Sequence, residues 1–545
     1  MNPAATTVPD VRSQDRRFEG PIQVWEVVFL LVFAAGILVT FVWKSNKAYF
    51  NFDELVTAVL VSNPSFSEMW NMICRGGEVN PPLFFVLEWV VAHTVGASEL
   101  ALRAVSGISV ALAGWVLFFT ARPLTGPRVA ALAVALVIGL SREVFAYLSM
   151  ARYYGLLLLL VSLAAFLALR FTGERPARSR DYILVFLVHT SLVFLHLYGL
   201  VYSGVLLAAM LAWDWLRGTR RWGLYGSVLA AWAVFGAWVP TMRQQLKAVS
   251  GGVFTAPGYL DVGFFLEQIG LETPMALVFL LVAALGALAL ISSRPGPLAE
   301  EANSSSNPLG WMALALIALG LMSVPIVSWT ASHVLHPPPY QPRYSFPCIA
   351  AWVFMIALVL LAVHRLPGAG AALKGKVPPQ LGTLAWFVVL AFCIVFQPMR
   401  AHKCPALPAA PFVDADFGYT NLPIVFENNW PFFERVFYGQ GRQYVLVVDH
   451  AAAEADPGWF TKSMERGFKV YDHYNKAVVS YYDDLPDWPD GFLAVDDDYT
   501  KTFEWLFAHR PELKIRLLGT RKAAQAVFGE ERIYLVQKPP AEKRK

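Results

Sequence analysis

The chain has 545 residues, of which 56% are hydrophobic and only 15% charged, with a mean hydropathy of +0.47. A soluble domain carries about 25% charged residues, so much of this surface faces something other than water. The net charge of +4 comes without a dense basic block, which leaves no nucleic-acid reading.

Arg12, Arg16 and Arg17 precede an apolar run over 24–43. The run is near the ~20 residues a spanning helix needs and longer than a signal-peptide core, so it reads as a signal anchor behind a cytoplasmic tail, 1–23. An outer loop, 44–103, contains Asp53, Glu54, Arg75 and Glu78. Its apolar stretch 81–95 carries Glu88 and His93, is short for a span, and is expected to lie flat at the outer interface. Helix two (104–120) returns inward to Arg122 and Arg128, and helix three (129–146) goes out to a turn with Arg142, Glu143 and Arg152. Helix four (155–169) comes back to Arg170, Arg175, Arg178 and Arg180. Helix five (182–195) rises to His196 and Tyr198, and helix six descends to Arg217, Arg220 and Arg221.

Helix seven (224–239) rises into a second outer loop, 240–274, and helix eight descends to a Ser/Asn/Pro-rich linker, 292–308. Helix nine (311–329) leads to a third outer loop, 333–347. Helix ten descends to His364, Arg365, Lys374 and Lys376, and helix eleven (381–396) rises. Every inner loop but 292–308 is basic, as the positive-inside rule requires. Treating 81–95 as a span would invert all that follows and put the Arg170–Arg180 cluster outside. The expectation is an α-helical polytopic membrane protein of about eleven spans over 24–397.

The tail, 398–545, is polar, with strand-like runs at 444–449, 477–482, 492–495, 514–518 and 532–536 and an amphipathic helix at 499–509. It is expected to be a small extracytoplasmic α/β domain on a protein of the plasma membrane. Cys74, Cys348, Cys393 and Cys404 are scattered, with no CxxC and no zinc spacing, so neither a disulfide framework nor a metal is expected. No cofactor motif is present either.

The adjacent carboxylates Asp53 and Glu54 are the first candidates for chemistry. Glycosyl transfer to a hydroxyl needs a base, and a carboxylate serves; two acids opening a helix also simply suit its dipole. Asn80-Pro81-Pro82-Leu83 opens the interfacial helix. Arg75, Arg103, Arg152, Arg243 and Arg343 are all placed outside, against the positive-inside trend, and a lipid phosphate would account for them because guanidinium pairs well with phosphate. Snorkelling to headgroups explains any one of them equally well, but not all five. The spans carry almost no mid-membrane charge, which disfavours a proton-coupled transporter.

The acidic pair after the first helix, then Pro81-Pro82-Leu83-Phe84, then Ala151-Arg152-Tyr153-Tyr154-Gly155-Leu156, resembles the type-C superfamily of membrane glycosyltransferases over about 1–350. The order is similar to that of the protein O-mannosyltransferases (glycosyltransferase family 39) and the lipid A aminoarabinose transferases. The resemblance implies a polyprenyl-phosphate-linked sugar donor and a hydroxyl acceptor on a lipid, glycan or protein. It implies Asp53 as base with Glu54 as its partner, and Arg152 and Arg343 at the donor phosphate. Arg75, Arg103, Tyr153, His196, Tyr198 and Tyr344 are further candidates for substrate contact, His196-Leu197-Tyr198 being similar to a His/Tyr pair at a helix end in relatives. Where relatives often have His before Pro-Pro, this chain has Asn80, and Tyr153-Tyr154 stand where some members carry an acid. A metal-independent reaction is expected. A transporter or flippase, and an envelope assembly protein with a partner-binding outer domain, are the competing readings.

Overall fold

A computed structural model describes residues 21–537 except 173–176, 250–272, 294–307, 335–340, 366–377, 406–416, 440–441, 457–460, 463, 498–499 and 523–529. The expectations for 1–20, Arg175, Lys374, Lys376, Tyr499, most of the 292–308 linker and parts of the second and third outer loops lie outside the described residues.

Helices stand at all eleven expected positions. They are α1 (Val24–Ser45), α5 (Glu99–Thr125), α6 (Pro127–Leu140), α8 (Tyr154–Arg170), α9 (Ser179–Leu195), α10 (Tyr198–Arg217), α11 (Trp222–Gly236), α13 (Thr273–Ser292), α14 (Pro308–Ser332), α15 (Ile349–Arg365) and α16 (Pro379–Lys403). Among the described residues six helices are long and apolar enough to cross a membrane: α1, α5, α10, α14, α16 and 342–365. A seventh joins them if α11 and the following helix, bent by 53°, count as one. The chain is a multi-pass membrane protein. At the end of the bundle that holds the start of α1 and the end of α10, ion pairs anchor two of the basic loops. Arg122 meets the buried Glu26 at 2.7 Å, and Arg221 meets Asp214 at 2.6 Å.

The opposite end carries short helices: α2 (Phe52–Val61), α3 (Phe66–Met72), α4 (Leu83–Thr94), α7 (Arg142–Tyr147) and α12 (Val239–Val249). The 12 residues of α4 reach about 18 Å, well short of the ~30 Å hydrocarbon layer. The third expected helix, 129–146, is broken at Ser141, whose hydroxyl accepts from Val144 N at 3.1 Å and starts α7 as a separate helix. Close packing positions α8: Gly155 lies against α5, where a Cβ would meet Ser106 O at 2.4 Å, and its N–H donates to Ser106 Oγ at 3.2 Å. Small residues at helix contacts are the usual way membrane bundles bring backbones together.

The C-terminal sheet has six strands: β1 (Ile424–Phe426), β2 (Tyr444–Val448), β3 (Val479–Tyr481), β4 (Phe492–Asp496), β5 (Lys514–Lys522) and β6 (Glu530–Gln537), in the order β3-β2-β1-β4-β6-β5. The four-strand portion β3-β2-β1-β4 is parallel; β6 pairs antiparallel with β4, and β5 with β6. Helices α17 (Asn429–Tyr438), α18 (His450–Ala455) and α19 (Thr502–His509) complete it. Five strands fall where the sequence places them. The sequence reading places neither the central β1 nor α17; in β1 all three residues are buried, which leaves no alternation signal. The domain docks on the short helices: Phe52 packs on Trp430 at 5.7 Å and on Phe468 at 6.0 Å, and Phe50 on Phe437 at 5.4 Å.

Candidate functional site

The site is built on the N-terminus of α2. Asn51 caps the helix in a reciprocal box: its Oδ1 accepts from Glu54 N at 3.1 Å, while Glu54 Oε2 accepts from Asn51 N at 3.0 Å. Neighbouring helical residues point about 100° apart, so the pair Asp53-Glu54 is divided between two faces. Glu54 points inward. Its oxygens also accept from Arg103 Nε (2.7 Å), Arg103 Nη2 (2.8 Å) and Ala151 N (2.8 Å). Arg103 spends its remaining donors on the carbonyls of Ser45 (3.0 Å), Ala48 (2.7 Å) and Tyr49 (2.9 Å). Both side chains are 2% exposed. They therefore form a closed knot that ties the 45–54 segment to α5 and to the start of the 151–153 turn. Neither keeps a face for a ligand: Arg103, expected among the substrate contacts, and Glu54, expected as the partner of Asp53, both hold the loop here.

Asp53 points the other way and is 25% exposed. Its Oδ2 accepts from Arg343 Nη1 at 2.6 Å, and its Oδ1 makes no hydrogen bond among the described residues. Arg343 comes from the 3-10 turn Pro342–Cys348 that leads into α15. Arg152, in the turn before α8, is held in the same manner: its Nη1 donates to Glu78 Oε2 (3.0 Å), Thr57 Oγ1 (3.0 Å) and Asp53 O (3.3 Å). Glu78 is in turn fixed by Val79 N and the Asn80 side chain on its other oxygen. Glu78 is the acid that sequence reasoning passed over. It lies in a loop after a π turn, Ile73–Gly77, and only its position two residues before Asn80-Pro81-Pro82 could have signalled it.

The two arginines lie over adjacent tyrosine rings, Arg152 over Tyr153 (5.2 Å) and Arg343 over Tyr344 (5.5 Å). Between these rings sits His196, at 4.3 Å from Tyr153 and 4.6 Å from Tyr344, with Tyr198 5.0 Å from Tyr344. His196 is where α9 ends and α10 begins. Gly199 makes that corner possible, since a Cβ there would fall on Leu192 O. Tyr198 N donates to His196 Nδ1 at 3.0 Å, which puts the ring proton of the neutral imidazole on Nε2. Burial, and after it the Arg152 and Arg343 charges, hold the imidazole well below its ordinary value and therefore neutral. Tyr344 is anchored through its carbonyl, which accepts from Tyr202 Oη at 3.0 Å.

Six buried polar atoms around this locus have no hydrogen-bond partner among the described residues: Arg152 Nε, Arg343 Nε, His196 Nε2, Tyr153 Oη, Tyr154 Oη and Ser345 Oγ. Buried donors are otherwise paired almost without exception, so the cluster has the form of a binding site for a group rich in acceptor oxygens. Arg75 is exposed on the π turn and Arg243 on α12, and neither joins the cluster. Among the described residues no three His, Cys, Asp or Glu side chains converge as metal ligands.

The chain is similar to two crystal structures of ArnT from Cupriavidus metallidurans, one bound to undecaprenyl phosphate and one in the apo state. Their TM-scores are 0.52 and 0.51 and their identities 14% and 15%, each over 95% of this chain and 99% of that chain. The apo oligosaccharyltransferase of Archaeoglobus fulgidus gives a TM-score of 0.49 at 12% identity, over 89% of this chain and 71% of its own. No protein-family model and no curated protein matches the chain. At these identities the likeness is one of fold: the chain has the fold of the two ArnT structures.

Proposed function

We propose that the chain is a membrane glycosyltransferase that moves a sugar from a polyprenyl-phosphate donor to a hydroxyl of a lipid, glycan or protein acceptor, on the outer face of the plasma membrane. The observation that carries this reading is the set of buried donors on Arg152, Arg343, His196, Tyr153 and Tyr154, unpartnered among the described residues, beside the partly exposed carboxylate of Asp53. Each arginine is anchored at Nη1 by an acid and keeps Nε for a phosphate oxygen.

In the reaction the acceptor O–H gives its proton to Asp53 Oδ1 and its oxygen bonds to the anomeric carbon. The bond from that carbon to the phosphate oxygen breaks, and polyprenyl phosphate leaves with the electron pair. Arg152 and Arg343 stabilise the charge that develops on it, and His196 Nε2–H donates to the same group. Two guanidiniums supply the charge that a divalent ion would, so transfer proceeds without a metal. An open apolar groove lined by Leu200, Val201, Gly204, Val205, Trp232 and Val327, starting two residues beyond Tyr198, takes the first isoprene units. The basic inner loops support the outward orientation, and with it an extracytoplasmic C-terminal domain over 398–545.

Binding of undecaprenyl phosphate to purified protein tests this reading. Arg152→Ala and Arg343→Ala each weaken binding by roughly tenfold or more, the worth of a charge-assisted hydrogen bond. Undiminished binding in both variants would count against the site.

A further inference from the structure

The C-terminal domain does more than cover the bundle. The last carbonyls of an α-helix have no partner within the helix. In α2, Ala58 O accepts from Ser62 N and Ser62 Oγ, but Val59 O accepts from Asn475 Nδ2 at 3.2 Å and Leu60 O from Tyr474 Oη at 2.7 Å. Two residues of the C-terminal domain thus cap the helix whose other end presents Asp53. Three residues earlier in the same turn, Tyr471 Oη donates to Gly77 O at 2.6 Å, next to Glu78. One short segment therefore grips both of the chain's acid-bearing arms, the helix of Asp53 and the loop of Glu78.

The segment is shaped for this. His473 (φ 57°) and Asn475 (φ 54°) lie in the left-handed region on either side of Tyr474, a conformation that non-glycine residues adopt rarely and that persists where the surroundings impose it. The turn is mounted on the sheet, since Asp472 Oδ1 accepts from Val479 N of β3 at 3.0 Å and Asp472 Oδ2 from Lys469 Nζ at 2.8 Å. At the opposite end of α2, Tyr438 Oη accepts from Phe50 N at 3.1 Å and donates to Glu99 at 2.7 Å.

We propose that the 471–475 turn is a positioning clip that sets the separation of the Asp53 helix from the Glu78 loop, which makes the C-terminal domain a structural part of the site. Its effect on transfer rests on the function proposed above; its effect on α2 does not. Tyr471, Tyr474 and Asn475 are positioning residues, with no contact to the reacting groups.

The test compares the full-length protein with Tyr474→Phe/Asn475→Ala and with Asn475→Gly, which suits the left-handed turn and removes only the amide cap. Backbone hydrogen exchange is followed at 55–62 and 76–79, with strands β2 and β4 as the internal standard for an intact domain. The double variant is expected to lose about tenfold protection over 55–62, with the strands unchanged, and Asn475→Gly a smaller loss confined to the same helix. In transfer assays kcat falls about tenfold while donor KM stays within about twofold, as for a misplaced base rather than a lost ligand contact. Unchanged protection of 55–62 in both variants overturns the proposal. If the strands of the double variant also exchange, Asn475→Gly alone decides between the same two outcomes. A wild-type protein that transfers no sugar sinks the functional reading and leaves the exchange result to judge the clip.

Discussion

Replacing Arg103 by Gln probes the knot under the site. In the native chain its five N–H groups meet both oxygens of Glu54 and three backbone carbonyls, at 2.7–3.0 Å. The replacement leaves the Glu54 carboxylate, 2% exposed, with only two backbone N–H donors. Breaking one side of a buried pair costs about 3–5 kcal/mol. Glu54→Gln costs less, about 2–3 kcal/mol, because Arg103 keeps its three carbonyls. The double variant Glu54→Gln/Arg103→Gln removes both charges, so the two losses do not add, and the coupling is at least about 1.5 kcal/mol. Unfolding of purified protein in mixed micelles titrated with SDS, followed by tryptophan fluorescence, measures all three. A coupling below about 0.5 kcal/mol, the level of an exposed pair, would refute the reasoning.

Three further outcomes are expected. Arg343→Lys keeps the charge but loses the planar fork that meets Asp53 and leaves Nε free, and lowers kcat/KM roughly ten- to a hundredfold; steady-state transfer kinetics at saturating acceptor read it, and an unchanged value contradicts the phosphate role. Glu78→Gln releases the Nη1 anchor of Arg152 and weakens undecaprenyl phosphate binding about tenfold in titration, at a stability cost of about 2–3 kcal/mol because this pair too is buried. Glu88, on α4, is fully buried with neither oxygen hydrogen-bonded among the described residues, and burial, then the Glu54 charge, raises its carboxyl well above the ordinary range. The folded chain then holds this proton where the unfolded chain has lost it, so stability present below the ordinary carboxylate value is lost as pH rises above it. The Tm advantage of Glu88→Gln over wild type therefore grows from pH 5 to pH 8, and a constant difference would contradict it.

The helical bundle was legible because spanning helices need long apolar runs, which are plain in one dimension. Breaks within helices were less so: the split at Ser141 rests on a single hydroxyl cap. In the site, Asp53, Arg152, Arg343, Tyr153, His196, Tyr198 and Tyr344 are brought together from segments up to 290 residues apart. Their residue types were readable, and only the family resemblance, not any local pattern, placed Asp53, Arg152 and Arg343 in one site. Locally only the Asn51-x-x-Glu54 capping pattern separates Glu54 from Asp53, and nothing local separates Arg103 from Arg152. Which of two neighbours turns inward depends on the Asn51 cap and on what Arg103 can reach across the fold. Glu78 and the Tyr471–Asn475 turn carry no motif at all, since they matter through contacts with distant backbone.

The central claim is that Asp53 takes the acceptor proton in a transfer from polyprenyl phosphate. The most direct test is a transfer assay with purified protein, a panel of radiolabelled polyprenyl-phosphate sugars and native membranes as acceptor, run with a chelator beside Asp53→Asn. The account predicts label in a product with wild type, undiminished by the chelator, and a loss of about a thousandfold or more in a folded Asp53→Asn variant that still binds undecaprenyl phosphate. Equal label from Asp53→Asn, or activity that disappears with the chelator and returns with a divalent ion, would contradict it.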